Sequence, residues 1–172
     1  MNIVLIGFMG SGKSCVAREL GKNLQLPVIE TDELVLARSQ KASVNEIFEQ
    51  DGEIHFREME IEIARDLQDK KNTIIATGGG VIMNTIIIDY LKKNGKIVFL
   101  DTSFETIYSR LKGNASRPNF KDKDCAKALY KFRLPLYKKY SDMTISTEDR
   151  APREIARAIE DSLFKISNPN DQ

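Results

Sequence analysis

The residues with the plainest chemical meaning stand near the start of the chain, in Gly7-Phe8-Met9-Gly10-Ser11-Gly12-Lys13-Ser14. Their spacing is G-x-x-x-x-G-K-[ST], with the apolar run Ile3-Val4-Leu5-Ile6 just before it and a stretch of helical period after it. Glycines so placed let the backbone turn its N–H groups inward, and the following helix adds the positive end of its dipole. Gly10, Ser11, Gly12, Lys13 and Ser14 therefore read as a cradle for the phosphates of a nucleoside triphosphate. In that cradle the Lys13 ammonium reaches the β and γ phosphates, while the Ser14 hydroxyl ligates Mg²⁺. Cys15 is expected beside the nucleotide at the same helix start, as a small packing residue rather than a reactive thiol.

A phosphate loop serves switches, motors and kinases alike, so other residues must say where the phosphate goes. A guanine-nucleotide switch carries N-K-x-D and D-x-x-G, and the chain contains neither. Glu30-Thr31-Asp32 follows the second apolar run, where strand ends face the ligand crevice of an open α/β sheet. One carboxylate there can orient a metal shell, and the other can accept the proton of an attacking hydroxyl; Asp32 also suits a plain helix cap. In Phe56-Arg57-Glu58-Met59-Glu60, Arg57 and Glu60 are three residues apart and share a helical face. Thr77-Gly78-Gly79-Gly80 closes the third apolar run with no side chains, which lets a ligand meet backbone N–H groups. Arg133, in Phe-Arg-Leu-Pro-Leu-Tyr, and Arg117-Pro118 add two further cations. Taken singly, these are an ion pair, a turn and solvated charge.

The elements that must position these groups are five short apolar runs: Ile3–Ile6, Val28–Ile29, Thr73–Ile75, Ile97–Leu100 and Met143–Ile145. Each is apolar on both faces and too far from the next for a hairpin, which predicts a parallel sheet covered by helices on both sides, a doubly wound α/β fold. Helical period predicts helices over Lys13–Leu24, Asp32–Ala37, Val44–Leu67, Thr85–Lys93, Ser103–Leu111, Asp122–Tyr140 and Pro152–Lys165. The polar segment Lys112–Lys123, with Gly113 and Pro118, reads as a mobile loop between two helices, and residues 167–172 as a polar tail.

Composition bounds the rest. With 172 residues, 41% of them hydrophobic, the chain is expected to form one domain over residues 1–166. Two cysteines and one histidine cannot supply four Cys and His ligands to zinc. A formal net charge of +1 gives no broad footprint for nucleic acid or an anionic membrane, and no apolar run approaches the roughly 20 residues of a membrane span. A cytoplasmic monomer that binds small molecules is the expectation.

As a set, these residues resemble the shikimate kinases. The resemblance runs in order through nearly the whole chain: the loop at 7–14, Glu-Thr-Asp at 30–32, Ile-Phe-Glu-Gln-Asp-Gly-Glu from Ile47, Phe-Arg-x-x-Glu from Phe56, Gly-Gly-Gly at 78–80, Arg-Pro at 117–118, and Arg-Leu-Pro-Leu-Tyr ending at Tyr137. It implies a three-layer α/β/α P-loop fold of the nucleoside-monophosphate-kinase type, with a five-stranded parallel sheet in the order 2-3-1-4-5 and a mobile lid at 112–123. It also implies transfer of the ATP γ-phosphate to the 3-hydroxyl of shikimate, with Mg²⁺, on the route to chorismate and the aromatic amino acids. Carried onto this chain, Arg57 and Arg133 would hold the shikimate carboxylate, and Gly79 and Gly80 would meet the substrate through the backbone. Asp32 would bind ring hydroxyls, orient or deprotonate the nucleophile, and share the metal with Ser14. Glu60 would hold Arg57, Arg117 would act on the transferred phosphate as the lid arginine, and Arg110 and Arg150 would flank the adenine. Two positions depart from the family pattern: Glu30 stands where aspartate is usual, and Ala76 where many relatives carry serine. Another small-metabolite kinase, such as one for gluconate, and a nucleotide-binding regulatory module without turnover remain as alternatives. The two arginines suited to a carboxylate argue against a plain nucleoside, and the complete acceptor set argues against the module.

Overall fold

A computed structural model describes residues 1–112 and 122–167. The chain begins with β1 (Asn2–Ile6), then α1 (Lys13–Leu24), β2 (Val28–Glu30), α2 (Thr31–Ser39), α3 (Val44–Gln50) and α4 (Gly52–Leu67). It continues through β3 (Ile74–Ala76), a 3₁₀ turn at Val81–Met83, α5 (Thr85–Lys92), β4 (Gly95–Asp101) and α6 (Phe104–Leu111). After residue 122 come α7 (Lys123–Tyr140), β5 (Met143–Ser146) and α8 (Pro152–Ser167). The five strands form one sheet in the order β2-β3-β1-β4-β5, every pairing parallel.

β1 lies at the centre, and all five of its residues are buried. Because side chains alternate along a strand, its residues are shared between two cores. Val4 and Ile6 pack with Met59, Ile63, Ile87 and Leu91 under α4 and α5, whereas Ile3 and Leu5 pack with Val16, Leu20, Ile155 and Ile159 under α1 and α8. Each such aliphatic side chain contributes ~1.5–3 kcal/mol on burial. Ordering one residue's backbone costs ~1–2 kcal/mol, so burial on both faces is what fixes this strand. Its polar first residue is accommodated by hydrogen bonds: the Asn2 amide donates to the Lys70 carbonyl (2.8 Å) and accepts from the Thr73 N–H (3.1 Å).

The single helix expected over 44–67 is two helices. The Asp51 N–H closes α3 on the Ile47 carbonyl at 2.8 Å, and Gly52 then takes a φ of +84° before α4 begins. A left-handed residue reverses the chain direction, and the unbroken apolar period on either side of Gly52 hides it in the sequence. Ser43 caps α3 by accepting from the Glu46 N–H (3.2 Å), while the Glu46 carboxylate accepts from the Ala42 N–H (2.9 Å). In α7, Pro135 has no N–H to return to the carbonyl one turn back, and it falls between Arg133 and Tyr137. Among the described residues, no helix is long and apolar enough to cross a membrane.

Candidate active site

The carboxyl ends of β1, β2 and β3 open onto a cleft of about 230 Å³ whose lining includes Lys13, Ser14, Glu30, Asp32, Thr77 and Gly79. One wall is the turn between β1 and α1. The Lys13 side chain is buried and donates to the carbonyls of Gly7 (2.8 Å) and Phe8 (3.0 Å), so the ammonium closes its own loop into a ring. The Ser11 N–H returns to the Phe8 carbonyl at 3.1 Å, and the Arg110 guanidinium donates to the Gly10 carbonyl at 3.2 Å. Arg110 is thereby tied to the loop from α6. The start of α6 is itself fixed by Glu148, whose carboxylate accepts from the Ser103 N–H (2.6 Å) and the Thr106 hydroxyl (2.8 Å). Those hydrogen bonds hold the Glu148 carboxyl below its ordinary pKa.

At the first turn of α1, the Ser14 hydroxyl donates to Glu30 Oε2 at 2.5 Å, and Arg18 donates to Glu30 Oε1 at 3.0 Å. The longer side chain at position 30 therefore reaches the serine of the loop directly. Cys15 is exposed at the mouth of the cleft. The packing role expected for it is corrected on that ground: a side chain exposed where it lines the cleft fills no core space. Arg150 sits in the turn after β5, its N–H bonded to the Thr147 carbonyl at 3.4 Å. Arg117 and most of the 112–123 segment lie outside the described residues.

The opposite wall is assembled from distant parts of the chain around Thr77–Gly80. The Thr77 N–H and hydroxyl both donate to the Leu5 carbonyl, at 3.1 and 2.9 Å, and the Gly78 N–H donates to the Thr31 hydroxyl at 3.0 Å. The Gly79 carbonyl accepts from the Tyr137 hydroxyl at 2.5 Å and from Arg133 at 3.4 Å. Tyr137 is fully buried and stacks on Phe99, with ring centroids 5.1 Å apart. Burial pushes its phenol pKa well above the ordinary value, so it remains a donor.

The glycines here make room for charge. A Cβ on Gly80 would lie 2.5 Å from Arg57 Nη1, and one on Gly78 would lie 2.5 Å from Asp32 Oδ1 and 3.2 Å from Glu60 Oε1. Arg57 donates to Glu60 Oε2 at 2.6 Å and to Glu53 at 3.1 Å, and its guanidinium lies 5.1 Å from the centre of the Phe56 ring. Arg133 lies 5.9 Å from the Phe8 ring, and its buried Nε has no hydrogen-bond partner among the described residues. Glu60 is only 4% exposed, and its Oε1 is likewise unpaired.

Burial, aided by the nearby Asp32, raises the Glu60 pKa, with Arg57 and Arg133 opposing the shift. For Arg57, burial alone would lower the pKa, but Glu60 and Glu53 together hold it above its ordinary value. Arg133 is lowered by burial, and Arg57 adds to the effect. Glu60 thus anchors Arg57 and lies in the field of Arg133, so that both guanidinium groups are held close to Asp32.

The structure therefore brings Lys13, Ser14, Asp32 and Gly79 to the lining of one cleft, with Arg133 bonded to the Gly79 carbonyl and Arg57 beside Gly80 next to it. Thr31, Tyr137 and the Ser14–Glu30 contact carry no local signal of their own beyond lying within or beside recognisable motifs. The donors around Ser14 are hard oxygens, a hydroxyl with the Glu30 and Asp32 carboxylates lining the same cleft, and these fit Mg²⁺ better than a soft metal.

A parallel sheet with the glycine-rich loop at its central strand, a buried loop lysine, and an acid–arginine wall opposite defines a P-loop phosphotransferase. Within that class, the family model for shikimate kinase matches residues 9–164, and the chain belongs to the shikimate kinase family. A shikimate kinase from Dehalococcoides mccartyi (strain BAV1) is 37% identical over 169 residues, covering 97% of this chain and 96% of the relative. Among solved structures, the shikimate kinase of Acinetobacter baumannii in complex with shikimate superposes with a TM-score of 0.89 at 32% identity, covering 96% of this chain and 93% of that one. The shikimate kinase of Aquifex aeolicus gives a TM-score of 0.86 at 38% identity, covering 97% and 98%.

Proposed function

We propose that this cleft transfers the γ-phosphate of ATP to the 3-hydroxyl of shikimate, giving shikimate 3-phosphate and ADP for the route to chorismate. Family membership supports the reaction, and the relative solved with shikimate supports the acceptor. The observation that supports the residue roles is that Lys13, Ser14 and Asp32 line one cleft with Thr77 and Gly79, while Arg133 and Arg57 lie against the adjoining Gly79 carbonyl and Gly80.

Phosphoryl transfer asks a protein mainly for alignment and for charge complementary to the equatorial oxygens. The loop N–H groups and Lys13 bind the phosphates; Lys13 exchanges its two carbonyl partners for phosphate oxygens. Ser14, with Asp32 and Glu30 beside it, would hold Mg²⁺, which would supply positive charge against the nucleotide phosphates. Arg57 and Arg133 take the shikimate carboxylate, and the unpaired Arg133 Nε is a donor in want of an acceptor. Asp32 sits against Gly78, where it can orient the 3-hydroxyl and accept its proton. Glu60 holds Arg57 in place, and Gly79 and Gly80 offer the acceptor their backbone.

Arg110 and Arg150 are assigned to the adenine end, and Cys15 to the rim of the nucleotide site. Arg117, in the 112–123 lid of the family pattern, is assigned to the transferred phosphate on the resemblance alone. Residues 1–166 are taken as one kinase domain. The enzyme is taken to work as a monomer in the cytoplasm, a reading supported by a formal net charge of only +1 and a substrate pair of small molecules.

The test is ADP production from Mg·ATP with and without shikimate, alongside Asp32→Ala. Turnover should require shikimate and fall by at least about 10²-fold in the variant. ATP consumption indifferent to shikimate would overturn the proposed acceptor.

A further inference from the structure

The opposite end of the sheet carries a second recess that the reaction does not use. Where β1 and β4 begin side by side, with Asn2 paired to Gly95, the surface dips into an open hollow of about 510 Å³. Its wall includes Lys71, Lys92, Lys93 and Lys96 with Asn94 and Asp142. Four lysines against one aspartate concentrate positive charge in a chain whose formal net charge is only +1.

Part of this charge has an ordinary structural use. Lys92 and Lys93 end α5, where cations complement the helix dipole. Lys92 lies 3.6 Å from Asp142, and Lys93 donates to the Gln68 side chain. Asp142 is itself committed, since its other oxygen accepts from the Ile97 N–H at 2.8 Å.

Lys71 and Lys96 have no such explanation. Lys71 precedes β3, and Lys96 lies in β4 opposite Ile3, so neither belongs to a helix end. Among the described residues, neither ammonium has a carboxylate within 4.0 Å. Lys96 is moreover half-buried, so part of its hydration is already replaced by protein.

Lys71 and Lys96, from a turn and a strand, converge with the partnered lysines of a helix end on one recess and form a site for negative charge. Ammonium groups act as point charges and impose little angular selectivity, so charge count matters more than group geometry. A volume in the range of small-molecule sites exceeds what a single phosphate fills. The geometry points to this hollow as a binding site for a small metabolite bearing two or more phosphate or carboxylate groups, at the end of the sheet remote from the phosphate loop.

The test is a titration of the isotopically labelled full chain, with Mg·ADP saturating the phosphate loop. Fructose 1,6-bisphosphate and citrate are added separately at constant ionic strength, and backbone amide shifts are followed. Saturable shifts should centre on Lys71 and on Asn94, Gly95 and Lys96. A response to one probe alone assigns the site to phosphates or to carboxylates, and either result upholds it. The double variant Lys71→Gln/Lys96→Gln should bind about tenfold or more weakly, while Lys71→Arg/Lys96→Arg retains binding and controls for folding. Neither variant should change the kinase rate measured without the probes. Shifts that only match those from added sodium chloride, that fall on residues 7–15, or that persist in the glutamine variant would overturn the proposal.

Discussion

The two walls of the cleft are built on opposite plans. The wall proposed for the phosphates is one contiguous stretch, residues 7–15, a tight turn tied into a ring by one lysine through the Gly7 and Phe8 carbonyls. The acceptor side gathers Asp32, Arg57, Glu60, Arg133 and Tyr137 from α2, α4 and α7 around the turn after β3, and its chemistry is buried side-chain charge. Backbone dipoles fixed by a tight turn need few outside supports. Buried guanidinium groups need compensating carboxylates and a packed scaffold to keep them aimed. Nucleotide binding should therefore be robust to changes elsewhere, and acceptor binding fragile.

The largest expected effect tests the phosphate wall. Lys13→Ala should lower the rate of turnover by about 10²–10³-fold or more while the circular dichroism spectrum stays native. A rate near that of the unaltered chain would remove the loop from the mechanism.

Next comes Arg57→Ala, which deletes one cation and strands Glu60, 4% exposed, without its 2.6 Å partner. Acceptor affinity should weaken by about 2–5 kcal/mol, with ATP affinity nearly unchanged, as calorimetry of each ligand would read. Equal losses for both ligands would break the division into two walls.

A pH profile sharpens it further. The Glu60 carboxyl has its pKa raised in the folded protein, so the folded form holds that proton more tightly than the unfolded one. Its contribution to stability is therefore fully present below the ordinary value of 4.5 and is lost as pH rises through the folded-state pKa. Charged Glu60 is thus maintained at a cost to stability while it aims Arg57. Glu60→Gln should flatten the pH dependence of stability in that window, seen by denaturant unfolding. It should also abolish any acid-side loss of acceptor affinity that begins above pH 4.5. An unchanged profile would show that Glu60 does not titrate with this effect.

The smallest effect concerns the scaffold. Gly52, at φ +84°, has nothing within 4 Å of where a Cβ would stand, so strain alone opposes a side chain there. Gly52→Ala should cost ~1–2 kcal/mol of stability and leave ATP affinity intact. A destabilised break between α3 and α4 should raise the acceptor KM, because Arg57 rides on the second turn of α4.

Gly52 also shows how far the sequence can be read. The apolar pattern over 44–67 satisfies one helix, and only the Asp51–Ile47 closure reveals two. The central strands β3, β1 and β4 were legible because both of their faces are apolar, a pattern that burial between two helical layers demands, whereas the edge strand β5 exposes Thr144 and Ser146. The loop was legible because its function requires adjacent residues. Arg57 and Arg133 were recognisable as a pair only by resemblance to a family, since 76 positions separate them and nothing local links them.

By itself, then, the amino-acid order determined what depends on neighbours in the chain: the phosphate cradle, the alternation of strands and helices, and the family to which they belong. Tertiary structure decided what depends on neighbours in space. It set Tyr137 under Gly79, the Thr31 hydroxyl on Gly78, Glu30 against Ser14, and Cys15 in solvent rather than in the core. It also drew four lysines to one recess at the far end of the sheet. Hydrogen bonds and charge act over a few ångströms, and which groups come that close is set by how the helices pack on the sheet.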